Sequence, residues 1–119
     1  MHTDQPQDIA PDALPELLTR CLDAHRAHDT ATALSTFHPD ATVTDEGKTR
    51  RGAPAIETWL SRSASEYTYT IELTGAQKVD TDHYIATHHL EGNFPGGVVD
   101  LHYRFALNDG LIEDLVIEP

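Results

Sequence analysis

Two alternating stretches, from His83 to Glu91 and from Val98 to Leu107, flank the segment Gly92-Asn93-Phe94-Pro95-Gly96-Gly97. Turn residues packed between such runs predict two antiparallel strands joined by a short connection. If Leu90 lies opposite Val99, then Tyr84, Ala86, His88 and Leu90 share a face with Val99, Leu101, Tyr103 and Phe105. A slip of one residue would scatter this apolar set, so the register is strongly specified. It places His88 on the inward face opposite Leu101, and sends Ile85, Thr87, His89, Asp100, His102 and Arg104 to the other.

The strands on either side follow the same logic. Tyr67, Tyr69, Ile71 and Leu73 alternate with Thr68, Thr70, Glu72 and Thr74, which predicts a half-buried antiparallel strand continuing to Val79 with a bulge at Gly75. Asp80-Thr81-Asp82 and Asn108-Asp109-Gly110 are turns, and Leu111 to Ile117 is the last strand.

The first half of the chain has helical periodicity. From Asp12 to Ala27, Leu14, Leu17, Leu18, Cys21, Leu22 and His25 recur at steps of three and four, the stripe continuing to His28, with Pro15 expected in the first turn. Asp29-Thr30 caps a short second helix over Ala31 to Phe37 with Leu34 and Phe37 inward, and His38-Pro39-Asp40 stops it. A short strand from Ala41 ends in Asp45, and Glu46-Gly47-Lys48 reads as a polar turn. Gly52-Ala53-Pro54 opens a third helix that buries Ile56, Trp59, Leu60 and Ser63. Helices first and strands afterwards predict an α+β fold: a cone-shaped, curved antiparallel sheet packed on three N-terminal helices. Residues 1–10 read as a flexible leader, and 11–119 as a single domain.

Composition narrows the partners. Twenty acidic residues against 8 basic ones give a formal charge of −12, which repels nucleic acid and anionic membranes. No run approaches the roughly 18 apolar residues of a membrane span, and no secretion signal opens the chain, so the expected location is cytoplasmic. The single cysteine, Cys21, allows no intrachain disulfide.

The pieces AHD (Ala27 to Asp29), FHPDATVTDEG (Phe37 to Gly47), RGAPAIETWL (Arg51 to Leu60), YRF (Tyr103 to Phe105) and Asp109-Gly110 occur in the order helix, helix, strand, helix, meander. In this the chain resembles the nuclear transport factor 2-like superfamily, which includes ketosteroid isomerase and the SnoaL-like polyketide cyclases. The resemblance covers about residues 12 to 118. It implies a cone with an apolar cavity, a homodimer, and, in isomerase-like members, a base at the place of Asp45. The family's oxyanion-binding positions match Cys21 and Leu101 here, which supply no such donor, so steroid isomerase activity itself is not expected. Nor is there a pocket arginine for the epoxide-hydrolase variant, since Arg104 faces outward in the preferred register.

The expected function is therefore a pocket for a small hydrophobic molecule. Cofactor-free proton transfer of the isomerase, cyclase or dehydratase type would use Asp45 as general base, His88 as its catalytic assistant, and Tyr103 or Tyr84 to orient a carbonyl. Cys21, His25, Trp59, Tyr84, Leu101, Tyr103 and Phe105 are the expected ligand pocket, with Phe94 at the core or the pocket mouth. No metal signature or phosphate-binding loop is present, so no metal and no cofactor are expected. The competing reading is a non-catalytic ligand-binding or dimerisation module. There Asp45 would bond backbone or pair with Lys48, Arg50 or Arg51, and His88 would be a core histidine. The homodimer is expected through the outer sheet face carrying His89, His102 and Arg104.

Overall fold

The structure is a computed structural model that describes residues 6–65 and 69–119, the side chains of 63–65 excepted. Its elements in chain order are β1 (Gln7–Ile9), a 3-10 turn (Pro11–Ala13), α1 (Glu16–Arg26), α2 (Thr30–Ser35), β2 (Phe37–Asp45), β3 (Lys48–Arg51), α3 (Ala53–Ser65), β4 (Tyr69–Asp80), β5 (His83–Gly92), β6 (Val98–Asn108) and β7 (Leu111–Glu118). The described strands form one sheet in the order β1-β4-β5-β6-β7-β2-β3.

The central hairpin has the register that its alternation dictates. Leu90 pairs with Val99, His88 with Leu101, Ala86 with Tyr103 and Tyr84 with Phe105. In β4 the register against β5 shifts between Leu73 and Gly75, so the expected bulge is present, and a second irregularity lies between Ala106 and Leu107 against β7. Such bulges bend and twist strands, which curves the sheet over the helices. The Ser63 side chain, expected on the buried face of α3, and Tyr67, expected in the following strand, lie outside what is described.

Four features differ from the expectations. Every strand pair is antiparallel except β2 with β7, which run parallel with Thr42 opposite Asp114 and Asp45 opposite Ile117, so the sheet is mixed. Strand β2 starts at Phe37 rather than Ala41, and α2 ends at Ser35. Pro39 lies inside β2 because the pairing with β7 breaks between Phe37 and Thr42, where a missing N–H costs no ladder bond. Glu46-Gly47 is a two-residue hairpin, φ +54° and +75°, and Lys48 to Arg51 pair back onto β2 as β3. Gln7 to Ile9, expected within the leader, form β1 on the edge of β4; residues 1–5 are not described.

The helices sit where their stripes require. α1 begins one residue after Pro15, which is at its N-cap with extended geometry, and buries Leu18, Cys21 and Ala24. His28 falls beyond the helix, exposed at φ +62°. The Asp29 carboxylate accepts from the Thr32 N–H at 3.2 Å and caps α2 as its position suggested. α3 buries Ile56, Trp59 and Leu60 against a core that includes Val43, Ala86, Tyr103, Phe105, Leu115 and Ile117. On the outer face Arg104 donates to Glu118 and His89 sits between Asp100 and Glu91, while Ile85, flanked in register by Gln77 and Arg104, is buried.

Candidate ligand cavity

Strand β2 delivers Asp45 to its end, half-buried and opposite Lys48 on one side and Ile117 on the other. The helix that follows the β3 hairpin brings Trp59, 4% exposed, over it, and the indole Nε1–H donates to Asp45 Oδ2 at 3.0 Å. This bond fixes the plane of the carboxylate. Among the described residues none of Lys48, Arg50 and Arg51 forms an ion pair with Asp45. His25, near the C-terminal end of α1, also lies against the indole, ring centroids 5.4 Å apart. Burial lowers its proton affinity, and the negative charge of Asp45 partly offsets that.

Beside Asp45 opens a cavity of about 650 Å³, the size range of sites for small organic ligands. Its walls come from every layer: His25, Asp45 and Trp59 from one side, Tyr69, Leu101 and Tyr103 from the sheet. Leu90, Val99 and Ile117 complete the apolar wall, the Phe94-Pro95 turn and the Glu46-Gly47 turn border it, and Glu118 and Pro119, which follow Ile117, also line it. Among the described residues no Lys or Arg lines it. The phenols of Tyr69 and Tyr103 are both pushed above their usual range, mainly by burial, with the Asp45 charge adding to each. At neutral pH both are therefore hydroxyl donors close enough to Asp45 to feel its charge.

Of the residues singled out in the sequence, Asp45, His25, Trp59, Leu101 and Tyr103 meet at this cavity, and Phe94 is at its border. Cys21, Tyr84 and Phe105 do not line it; they belong to the packed core at 4%, 9% and 2% exposure. Cys21 is a buried thiol whose pKa is pushed up to about 11 by desolvation, a bond with Thr36 acting the other way. His88 is buried as its register demands but does not reach the cavity. It lines a second chamber of about 80 Å³ between α1 and β4, its ring 4.4 Å from that of Tyr103. Desolvation, with the positive charge of Arg26 and the nearby His25, lowers its pKa to about 4. Thus His25, not His88, is the histidine next to Asp45. Tyr69 is the site residue missing from the expected pocket: the sequence reading makes it part of a half-buried strand and places only Tyr84 and Tyr103 of the tyrosines on the inner face, whereas it lines the cavity. Among the described residues no three His, Cys, Asp or Glu side chains converge as metal ligands would.

The pattern of the SnoaL-like domain matches residues 18–115. A proposed polyketide cyclase from Sinorhizobium meliloti is 34% identical, with 92% of this chain and 100% of that chain covered and a TM-score of 0.85. More distant structures share the fold. One is a Catenulispora acidiphila protein of ketosteroid isomerase-like fold in complex with trimethylamine (20% identity, 88% and 85% covered, TM-score 0.75). Another is a Mycobacterium tuberculosis protein in complex with estradiol-17beta-hemisuccinate (16% identity, 87% and 91% covered, TM-score 0.72). No curated protein matches the chain. A curved sheet wrapped on three helices, a hollow at the end of β2 and a family pattern spanning most of its length lead to one assignment: the chain belongs to the SnoaL-like family of the nuclear transport factor 2-like superfamily.

Proposed function

We propose that the protein binds a small, uncharged, largely apolar ketone and moves a proton next to its carbonyl without a cofactor, in a reaction of the isomerase, cyclase or dehydratase type. The observation that carries this reading is the Asp45 carboxylate, held at 3.0 Å by the Trp59 indole in the wall of a cavity of about 650 Å³. A base must be oriented and must face room for a substrate, and Asp45 has both. In the proposed step Asp45 takes the proton from the carbon beside the carbonyl, and the C–H electron pair moves into the carbonyl to give an enolate. A phenol from Tyr69 or Tyr103 donates to the enolate oxygen, and Asp45 returns the proton to the same or a neighbouring position. Tyr84, packed in the core, drops out of the carbonyl-binding role. Any assistance from His88 acts through Tyr103, which separates it from the cavity.

The preference for an uncharged ligand rests on the lining. A ligand carboxylate would meet Asp45 and Glu46 with no described Lys or Arg beside it to balance the charge. The complex of the Mycobacterium tuberculosis protein with estradiol-17beta-hemisuccinate supports the size and the apolar body of such a ligand, while the free carboxylate of that half-ester lends no support to the absence of charge. The open hollow favours a ligand-binding role over a scaffold filled by its own side chains. We further propose a cytoplasmic homodimer associating through the outer sheet face around His89, His102 and Arg104; sedimentation as a monomer at micromolar concentration would refute the dimer.

The test uses 1-tetralone as a neutral probe ketone. Trp59 is the single tryptophan of the chain, so quenching of its fluorescence reports occupancy of the cavity. Loss of the α-proton signal in D2O, followed by NMR, reports proton abstraction. Wild type should bind and exchange, and Asp45→Asn should bind equally but exchange at least about 100-fold more slowly, the usual contribution of a positioned base. Quenching with no exchange above the buffer rate would leave a binding protein; no quenching would refute the ligand itself.

A further inference from the structure

The second chamber holds a buried polar atom that the proposed chemistry has not used. His88 is 4% exposed, and its Nδ1 has no hydrogen-bond partner among the described residues. Leaving such an atom bare inside a fold is costly, so native structures give it a protein group or an ordered water. The chamber around it measures about 80 Å³, room for about two waters at the roughly 30 Å³ each occupies in the liquid. Its lining is amphipathic. Leu22, Ile71 and Leu73 supply the apolar part, and the polar part is His88, Arg26 with Asp23, and three residues shared with the ligand cavity: His25, Tyr69 and Tyr103. At the outer end Arg26 donates to Asp23 at 2.7 Å, both more than half exposed. The chamber therefore spans from solvent at α1 to the back of the tyrosine wall.

We propose that this chamber is an ordered-water site anchored on His88 Nδ1, and that it is the route by which protons pass between the ligand cavity and solvent. The assignment rests on the proton-transfer reading of Asp45. Returning the abstracted proton to the ligand needs no path to solvent. Trading it for a solvent proton, as α-proton exchange in D2O requires, needs a hydrogen-bonded route outward while an oily substrate fills the larger cavity and excludes water from Asp45. Tyr69, Tyr103 and His25 line both hollows, and their side chains carry hydroxyl and imidazole groups that can relay a proton. Water held against their far side completes the path, with a proton entering at one end for each that leaves at the other. His88 is then a positioning residue: it fixes the water and touches no reacting atom.

Two measurements separate this site from the reading it rests on. The first is diffraction from wild-type crystals to atomic resolution. An ordered water should lie about 2.7–3.2 Å from His88 Nδ1. Direct bonding of Nδ1 to a protein group, or a dry chamber, overturns the site whatever Asp45 does. The second is Leu22→Phe, which fills the chamber from α1 without touching the larger cavity; Ile71→Phe fills it from β4 should the first variant fold poorly. Trp59 quenching by 1-tetralone should be unchanged, while α-proton exchange falls about tenfold, what one lost hydrogen-bonded link of ordinary strength costs in rate. Full exchange rates in a variant whose chamber is shown to be closed overturn the proton route. Absence of exchange in wild type removes Asp45 as base and the route with it, whereas the diffraction result still decides whether water sits on His88.

Discussion

Burial of a neutral histidine should make the protein acid-sensitive in a way that one substitution isolates. The folded state holds the pKa of His88 at about 4, against 6.5 for an exposed histidine. Below pH 6.5 the unfolded chain binds a proton at this position that the folded chain refuses, so stability is complete above that pH and is lost as pH falls towards 4. With those two values the His88 contribution drops by about 2 kcal/mol from pH 7 to pH 5, and by about 3 kcal/mol at pH 4. Other groups titrate in the same range, His25 with the same sign, so the quantity to follow is a difference. Urea unfolding of wild type and His88→Leu at pH 7, 6 and 5 gives it directly. Wild-type stability minus variant stability should fall by about 2 kcal/mol between pH 7 and pH 5, whatever its starting value. A difference that stays flat would show that His88 is hydrated like a surface histidine, and one that grows on acidification would show a stabilised imidazolium. Either result would refute the buried placement from which the water site is argued.

Other outcomes follow from the same structure. Phe105→Ala, at 2% exposure in the centre of the core, should cost about 3–5 kcal/mol in urea unfolding without removing any cavity-lining group. Gly47→Val, at φ +75° in the hairpin beside Asp45, should destabilise by about 1–2 kcal/mol and weaken 1-tetralone binding, since the turn borders the cavity. Native Cys21 should resist a thiol reagent at pH 8 and react at the rate of a free thiol once urea unfolds the chain, because its thiol is buried and its pKa is pushed up to about 11. Trp59→Phe keeps an aromatic ring but removes the donor to Asp45; it should lower exchange on 1-tetralone more than it lowers thermal stability, measured side by side.

How much of this was legible in the sequence depends on whether a feature is encoded in its own residues or in those of a partner. The β5–β6 register follows from its own alternation, since one slip would have put Tyr84 and His88 on the opposite face from Leu101 and Tyr103. The α1 stripe, the Asp29 cap and the place of Asp45 at the end of β2 are local in the same sense. Strands β1 and β3 are not: QDI and KTRR have no apolar alternation and become strands because β4 and β2 offer unpaired edges. The parallel pairing of β2 with β7 likewise joins segments far apart in the chain, and neither carries a mark of direction. The two histidines show the same limit at the site. Alternation places His88 on the inward face, but its distance from the hollow depends on where Tyr103 and α1 lie across the sheet. Helical periodicity put His25 at the boundary of α1, and the crossing of α1 over α3 sets it against Trp59 beside Asp45. Tyr69 lies at the start of β4, and its share in the cavity depends on the bulged pairing of β4 with β5.

The central claim is that Asp45 works on a molecule held in the hollow beside it, and a crystal structure with 1-tetralone bound examines it most directly. The ketone should occupy the cavity with its oxygen towards Tyr69 or Tyr103 and its α-carbon about 3–3.5 Å from a carboxylate oxygen of Asp45, the other oxygen still held by Trp59. A ketone bound elsewhere, or one whose binding turns Asp45 away from Trp59 into solvent, would contradict the account.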